Sequence, residues 1–333
     1  MKIVSLFSGC GGLDLGFENA GFNVIWANEK NKKIFETYNM NHSNTKLIKK
    51  SIKDVKSSEI PECDGIIGGP PCQSWSVAGA GRGIDDNKGQ LFYEYIRVIR
   101  DKNPKFFLAE NVPGILYRNN IDEFHQIVNL LEDLGYNVSY RKIKAEYYGV
   151  PQLRRRVFII GIREDFDVEF EFPDKTHSNY EDHLPNLINL EQAIGDLPEP
   201  KPAKDKNYSN SDLEINGNEY YIGGYSSRFM SRNRRKRWDE LAYTVEASGR
   251  HAKVHPENGE MKKLEKDKWE FLFPDRVRRL SIRESARIQT FPDDFNFYYS
   301  KLNDAYKMIG NAVPVRLAYV LANQIKNLLF EDI

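Results

Sequence analysis

A cysteine framed by prolines and glycines is the first residue that could do chemistry. It lies in Gly68-Gly69-Pro70-Pro71-Cys72-Gln73-Ser74-Trp75-Ser76. A thiol in such a turn can act as a nucleophile once a neighbour lowers its pKa or takes its proton. The plainer alternative is a small buried hydrophobe, which is how free cysteines often serve. Cys10 and Cys63 have no such frame and take that plainer reading. A carboxylate follows in Glu110-Asn111-Val112-Pro113-Gly114. A nucleophile and an acid on separate strand ends form a workable pair; the alternative is that Glu110 solvates its own turn. Next comes Gln152-Leu153-Arg154-Arg155-Arg156. On a strand, Arg154 and Arg156 would share one face and Arg155 the other. Two guanidinium groups facing one way suit an anion or a carbonyl. A basic sheet edge is the alternative.

A second constellation opens the chain. Phe7-Ser8-Gly9-Cys10-Gly11-Gly12-Leu13-Asp14 leaves the first apolar run through glycines, which let the backbone turn sharply and approach a ligand. Glu29 follows the second apolar run, where an acid can accept hydrogen bonds from ribose hydroxyls. A structural turn plus a surface glutamate is the competing reading. The spacing is not G-x-G-x-x-G. That disfavours a dinucleotide, and with it a nicotinamide oxidoreductase, and leaves room for another adenosine cofactor.

The strongest charge cluster is Arg228-Phe229-Met230-Ser231-Arg232-Asn233-Arg234-Arg235-Lys236-Arg237-Trp238, followed by Glu246-Ala247-Ser248-Gly249-Arg250. Such a run is a solvated or phosphate-binding face. Some of its arginines can instead read guanine O6 and N7.

These groups need a scaffold. Ile3 to Leu6, Val24 to Ala27, Gly65 to Ile67, Phe106 to Ala109 and Val157 to Ile160 read as buried strands. A short amphipathic segment ends near Gly21. Leu91, Tyr95, Val98 and Ile99 fall at helical spacing. So do Ile121, Phe124, Val128 and Leu131, in a helix that Gly135 stops. Alternating strands and helices predict a parallel sheet covered on both faces. The pattern breaks after about residue 165, and Asp174 to Glu219 reads as loops of a smaller domain. Arg279 to Ile288 is helical again. Leu317, Val320, Leu321, Ile325 and Leu328 mark a last helix that packs back on the first domain.

The bulk numbers agree with this. The 333 residues suit one large and one smaller domain. Lys plus Arg and Asp plus Glu are 48 each, so only local clustering can point to nucleic acid. Three cysteines make a poor disulfide framework, and no CxxC pair suggests zinc, so no metal is expected. A reducing cytoplasm fits. The opening apolar run is too short for a signal peptide, and no run of about 18 apolar residues suggests a membrane span.

Taken in order, FSGCGGLDLGF, GGPPCQSWS, ENVPG, QLRRRVFIIG, RLSIRESARIQTFPDDF and GNAVPV resemble the motifs of the cytosine-C5 DNA methyltransferases across nearly the whole chain. The resemblance implies the S-adenosylmethionine-dependent methyltransferase fold, an α/β Rossmann-like mixed sheet with helices on both faces, plus a smaller target-recognition domain. It implies a catalytic and cofactor domain over 1–175, recognition over 176–285, and a hinge and returning helix over 286–333. Cys72 would attack cytosine C6. Glu110 would contact N3 and the exocyclic amine, Arg156 the carbonyl oxygen, and Arg154 would orient the site near Glu110. S-adenosylmethionine would lie on Phe7, Gly9, Gly12, Leu13, Glu29, Ile52, Pro71, Leu91, Asn311 and Val313. Where the family has Gly-Asp-Ile this chain has Lys50-Ser51-Ile52, so Ser51 or the neighbouring Asp54 would face the adenine amine. The segment Ser76 to Lys88, with Arg82, resembles the loop that closes over DNA.

The stretch FMSRNRRKRW…YTVEASGRHAKVHP resembles the recognition segment of GGCC-specific enzymes of the HaeIII type. That implies base contacts from Arg232, Arg234 and Arg250, with Ser76, Arg82, Gln152, Arg228 and Arg237 also on the DNA. The expected function is duplex DNA methylation at C5 with base flipping, by a monomer paired functionally with a restriction endonuclease of the same site. A tRNA cytosine-C5 methyltransferase and a non-catalytic DNA-binding protein are the competing readings.

Overall fold

The apolar runs of the N-terminal half become strands of one sheet. The computed structural model describes residues 1–71, 90–257 and 259–330 and divides into two units. The first comprises Met1–Lys144, Arg155–Asp174 and Leu317–Ile333; the second comprises Ala145–Arg154 and Lys175–Arg316. The first unit opens with β1 (Lys2–Leu6), α1 (Gly12–Asn19), β2 (Asn23–Asn28), α2 (Phe35–Asn41), β3 (Lys46–Ile48) and β4 (Gly65–Gly68). It continues with α3 (Gln90–Lys102), β5 (Phe106–Asn111), α4 (Ile121–Glu132) and β6 (Tyr136–Lys144). The short β7 (Gln152–Leu153) belongs to the second unit, and β8 (Arg155–Arg163) returns to the first.

Among the described residues the main sheet has the order β3-β2-β1-β4-β5-β8-β6. It is not the all-parallel sheet that alternation predicted. β8 runs antiparallel to both β5 and β6. The reason is local: β6 and β8 are joined by residues 145–154, with no covering helix to carry the chain back across the sheet. The result is the mixed α/β sheet that the family resemblance implies. Successive strands run outward from β1 in one direction and resume at β4 in the other, so the order reverses between β1 and β4. Ligands of open α/β sheets bind at the carboxyl edge of such a reversal.

Both faces of the sheet are covered, which is why its central strands read as unbroken apolar runs. On one face Leu91, Tyr95 and Val98 of α3, with Phe124, Ile127 and Leu131 of α4, share a buried cluster with Val4, Ile66, Phe107 and Ile159. The Tyr95 hydroxyl donates to the Leu108 carbonyl at 2.8 Å, so the one polar atom this ring buries is satisfied. On the other face Phe17, Phe22 and Phe330 surround Phe106, with ring centroids 5.7–6.4 Å from it. Gly135 ends the α4 region as expected: its φ is +85° and its N–H donates to the Glu132 carbonyl at 2.8 Å.

The second unit has little regular structure. It contains α5 (Leu190–Ile194), β9 (Lys201–Pro202), β10 (Glu219–Tyr220), β11 (Ala242–Tyr243), and a hairpin of β12 (Met261–Glu265) and β13 (Lys268–Phe271). Two helices follow, α6 (Ile282–Ile288) and α7 (Leu302–Asn311); α8 (Val315–Leu329) then carries the chain from the second unit into the first. The helix predicted from Arg279 begins only at Ile282. Ser281 caps it, accepting from the Glu284 N–H, while Glu284 accepts from the Ser281 N–H. Arg279 lies outside the helix with its guanidinium on the carbonyls of Gly223 (2.9 Å) and Gly224 (3.0 Å). Arg283 bonds the carbonyls of Asn216, Phe295 and Pro292 at 2.8–3.2 Å. Buried arginines here do the joining that apolar stripes do in the first unit. Among the described residues no helix is long and apolar enough to cross a membrane.

Candidate active site

Strand register brings four turns to one edge. Leu6 is level with Asn28 and with Gly68, and Gly68 with Ala109. Phe7, Glu29 and Gly69 therefore leave the sheet side by side, with Glu110 of β5 next in the row. A Cβ on Gly68 would collide with the Leu6 carbonyl oxygen, so only glycine allows this approach of β4 to β1.

The turn after β1 is held in an unusual shape. Phe7, Gly9 and Gly11 have φ of +55°, +56° and +90°. For Phe7 this left-handed conformation is costly and marks a functional candidate. Glu29 fixes the turn from β2. Its Oε2 accepts from the Gly9 N–H at 3.1 Å, and its Oε1 accepts from the N–H groups of Lys30 (2.8 Å) and Asn31 (2.7 Å). Among the described residues nothing lies within 4 Å of the Cβ position of Gly9, so they leave space open above the turn. The Ser8 hydroxyl is buried and has no hydrogen-bond partner among the described residues. Sequence reasoning passed over Ser8. Its only signal was its place between Phe7 and Gly9.

The other expected cofactor residues fall as follows. Gly12 and Leu13 are buried at the start of α1. The Asn28 side chain donates to the Lys50 carbonyl at 2.8 Å, which fixes the approach to Ser51. Ser51 is half-buried and its side chain does not cap the 3₁₀ turn that follows. Ile52 is buried, whereas Asp54 is exposed. Pro71 is half-buried and Leu91 is buried. In the second unit, Asn311 is exposed at the end of α7 and Val313 is buried.

Beside the same edge Glu110 meets Arg156. Because β8 is antiparallel to β5, its amino end reaches the carboxyl end of β5, with Glu110 opposite Phe158. Arg156, two residues from Phe158, shares that face. Its Nε lies 2.8 Å from Glu110 Oε1, and both side chains are largely buried. A Cβ on Gly69 would lie 3.5 Å from Glu110 Oε2, so the approach to Pro70-Pro71 runs past this carboxylate. Asn111 points elsewhere: its Nδ2 donates to the Pro70 carbonyl at 3.0 Å. Cys72, with Ser76 and Arg82, lies outside the described residues. Burial pushes the Cys10 and Cys63 thiols up to about 12, which keeps both protonated, in keeping with their plainer reading.

Arg154 does not share a face with Arg156. β8 begins at Arg155, so strand alternation does not extend back to Arg154. Arg154 belongs to the second unit and is fully buried there. Its guanidinium donates to the carbonyls of Ala312 (2.8 Å) and Gly310 (3.0 Å), which flank Asn311. Gln152, expected on DNA, is also fully buried. Its Nε2 donates to the Ile288 carbonyl (2.9 Å) and to Gln289 Oε1 (2.6 Å), and its Oε1 accepts from the Val245 N–H (3.1 Å). With its amide spent on packing, Gln152 offers nothing to a surface ligand.

The basic cluster divides by what its side chains touch. Arg234 is half-buried; it donates to the carbonyls of Phe229 (2.9 Å) and Arg228 (3.0 Å) and lies over the Phe229 ring. Arg235 donates to the Pro256 carbonyl at 2.7 Å, and Lys236 pairs with Glu240 at 2.8 Å. Arg237 is exposed but pairs with Asp239 at 3.0 Å. Arg228, Arg232 and Arg250 are exposed. The expectation of a reader at Arg234 is therefore narrowed: two of its nitrogens already staple the loop that carries it.

The chain is similar to known proteins in sequence and fold. The profile of C-5 cytosine-specific DNA methylases matches residues 1–327. The Type II methyltransferase M.MthTI of Methanothermobacter thermautotrophicus is 53% identical over 98% of this chain and 97% of its own. M.FnuDI of Fusobacterium nucleatum, also a Type II methyltransferase, is 52% identical over 99% and 95%. Among solved structures, a DNA modification methyltransferase encoded within an E. coli prophage covers 99% of this chain and 100% of its own, with a TM-score of 0.76 at 24% identity. DNMT2 of Spodoptera frugiperda covers 99% of each, with a TM-score of 0.66 at 18% identity. The chain belongs to the C-5 cytosine-specific DNA methylases and is a DNA cytosine-5-methyltransferase that uses S-adenosylmethionine.

Proposed function

We propose that this methyltransferase modifies a cytosine in duplex GGCC, flipping the base out of the helix and attacking it covalently with Cys72. The observation that carries the reading is the Glu110–Arg156 pair beside Gly69, on the approach to Pro70-Pro71-Cys72. Cytosine C5 is a poor nucleophile because the ring is electron-deficient. Thiolate addition at C6 forms a C–S bond and pushes an electron pair towards C5, splitting one hard step into two easier ones. Negative charge then builds on N3 and the carbonyl oxygen. Glu110 shares a proton with N3 and contacts the exocyclic amine. Arg156 orients Glu110 and offers its remaining N–H groups to the carbonyl oxygen. After methyl transfer a base, water or hydroxide, takes the C5 proton, and the C–S bond breaks to release Cys72. The target atoms lie inside a duplex, hence the flipped base.

The turn after β1 fits S-adenosylmethionine: among the described residues there is open space above Gly9 and no partner for the Ser8 hydroxyl, beside a positioned Glu29 carboxylate. When bound there the cofactor supplies a sulfonium methyl group. Phe7, Gly9, Gly12, Leu13, Glu29, Ser51, Ile52, Pro71 and Leu91 would hold it, with Asn311 and Val313. Arg154 is a positioning residue for that last pair through the Gly310 and Ala312 carbonyls. Recognition falls to 176–285. Exposed Arg228, Arg232 and Arg250 are its DNA contacts, and Arg237 joins them when it leaves Asp239. The biological role is protection of host DNA from an endonuclease of the same site, by a monomer acting in the cytoplasm.

Bisulfite sequencing of DNA from cells expressing the protein tests the site: GGCC modified at one cytosine is expected, and any other motif overturns the assignment. The chemistry is tested by trapping on 5-fluorocytosine GGCC duplex. An adduct that survives in Cys72→Ala would remove Cys72 from its role.

A further inference from the structure

Beneath the glycine turn lies a buried polar cluster that the chemistry above does not use. Asp14 of α1 is fully buried and accepts from the Ser5 hydroxyl of β1 (2.7 Å) and the Tyr38 hydroxyl of α2 (2.5 Å). The Tyr38 ring stacks on His42, with centroids 4.5 Å apart. His42 Nδ1 lies 2.9 Å from Glu18 Oε2 of α1. The opposite edge of the ring faces the turn. A Cβ on Gly11 would collide with Nε2, so this edge of the ring lies directly against the main chain of the turn, and the Cys10 main chain favours the charged form of the ring. Most buried histidines are satisfied packing groups. This one joins a carboxylate on one side to the ligand turn on the other, at the residue whose φ is +90°.

We propose that His42, oriented by Glu18, is a positioning residue for S-adenosylmethionine: it holds the Cys10–Gly11 main chain in the left-handed shape that forms the cofactor cradle. The inference rests on reading the Phe7–Gly12 turn as that cradle. An imidazolium donates from both ring nitrogens, to Glu18 and to Cys10, whereas the neutral ring donates from one. Burial works against the charged ring, but the Glu18 hydrogen bond and the charges of Asp14 and Glu18 hold its pKa above the ordinary imidazole value. The groups around it are Asp14 and Glu18 from α1, Tyr38 from α2 and Cys10 from the turn, with Thr45 set against Tyr38. The sign follows: grip on the cofactor weakens as pH rises through the raised His42 pKa.

The test is calorimetric binding of S-adenosylhomocysteine to the full chain, with melting of the ligand-free protein measured alongside. His42→Ala is expected to weaken binding about tenfold, the value of one charge-assisted hydrogen bond. His42→Gln, a neutral donor of similar reach to Nε2, should recover to within roughly threefold and flatten the pH dependence above the ordinary imidazole range. If His42→Ala lowers the melting temperature but binds like wild type, or if His42→Gln is as weak as His42→Ala, the inference fails. Should His42→Ala not fold, Glu18→Gln reads the same coupling: its binding midpoint should move to lower pH, and an unmoved midpoint overturns the proposal. Glu29→Ala separates the two levels. If Glu29→Ala binds weakly while His42→Ala binds normally, only the His42 role falls; if both bind normally, the cradle itself is misassigned.

Discussion

The two units hold themselves together by different physics. In the first, apolar stripes on α3 and α4 close over an apolar sheet. In the second, stripes are short and the interior is charged. Arg154, Arg279 and Arg283 are each at most 2% exposed and donate to main-chain carbonyls. A guanidinium has five donors in a rigid fork, so one side chain can tie down several irregular segments at once. Buried guanidinium groups therefore serve as construction in the second unit, whereas the Glu110–Arg156 pair of the first lies at the sheet's carboxyl edge.

The sharpest way to break that contrast is to remove one charge from each unit. Glu110→Gln keeps the shape of a side chain at the sheet edge but not its proton chemistry. Turnover on duplex DNA should fall by 10²–10⁴-fold, roughly 3–5 kcal/mol in the barrier. Single-turnover rates that stay within about threefold would return Glu110 to a solvated turn. Arg283→Met should instead act on stability. It strands the carbonyls of Asn216, Phe295 and Pro292, at a cost of about 3–5 kcal/mol in urea unfolding. Ile66→Val in β4 should cost only about 1 kcal/mol. Equal costs for the two would mean that the second unit does not depend on its arginines.

Acid should separate the units by sign. Burial, with the Arg278 charge, holds His255 in the second unit down to about 3, so the folded form keeps this ring neutral. The unfolded chain binds its proton near 6.5, so stability is lost as pH falls from there towards 3; at pH 5 the loss is on the order of 2 kcal/mol. Asp14 in the first unit has the opposite sign. Burial raises it to about 6, so its contribution is present below about 4 and is lost as pH rises through 6. Moving from pH 7 to pH 5 should therefore open the second unit to proteases first, and His255→Gln should remove that sensitivity. Cleavage starting in the first unit would reverse the assignment.

The smallest effect concerns the adenine pocket. Ser51→Asp restores a stronger acceptor where the family has one and should tighten cofactor binding by about 1 kcal/mol, near fivefold. Unchanged or weaker binding would show that Ser51 does not face the adenine amine.

Legibility followed the same division. Strands β1, β2, β4, β5 and β8 and helices α3 and α4 could be read from the sequence because burial on both faces demands unbroken apolar runs and one-sided periods. β6 was missed because it is an edge strand whose exposed residues, Tyr140 to Lys142, carry no alternation. The direction of β8 depended on the short 145–154 connection, which no residue pattern announces. In the site, Glu110 and Arg156 were legible as reactive types, but their pairing depends on the β5–β8 register. Gln152 was expected on DNA and Arg154 beside Glu110, because polar types suggest an open site. Their burial follows from carbonyls of residues 288, 310 and 312 that only folding brings to them. His42 gave no signal at all, since Glu18 and Gly11 are distant from it along the chain.

The sequence by itself determined the reactive residue types, the family to which their order belongs, and the apolar elements of the catalytic sheet. These are local properties, fixed by composition and period within each element. Only the tertiary structure decided which donors were already spent. A guanidinium on the surface and one buried among carbonyls are the same three letters in a sequence, and only packing separates them.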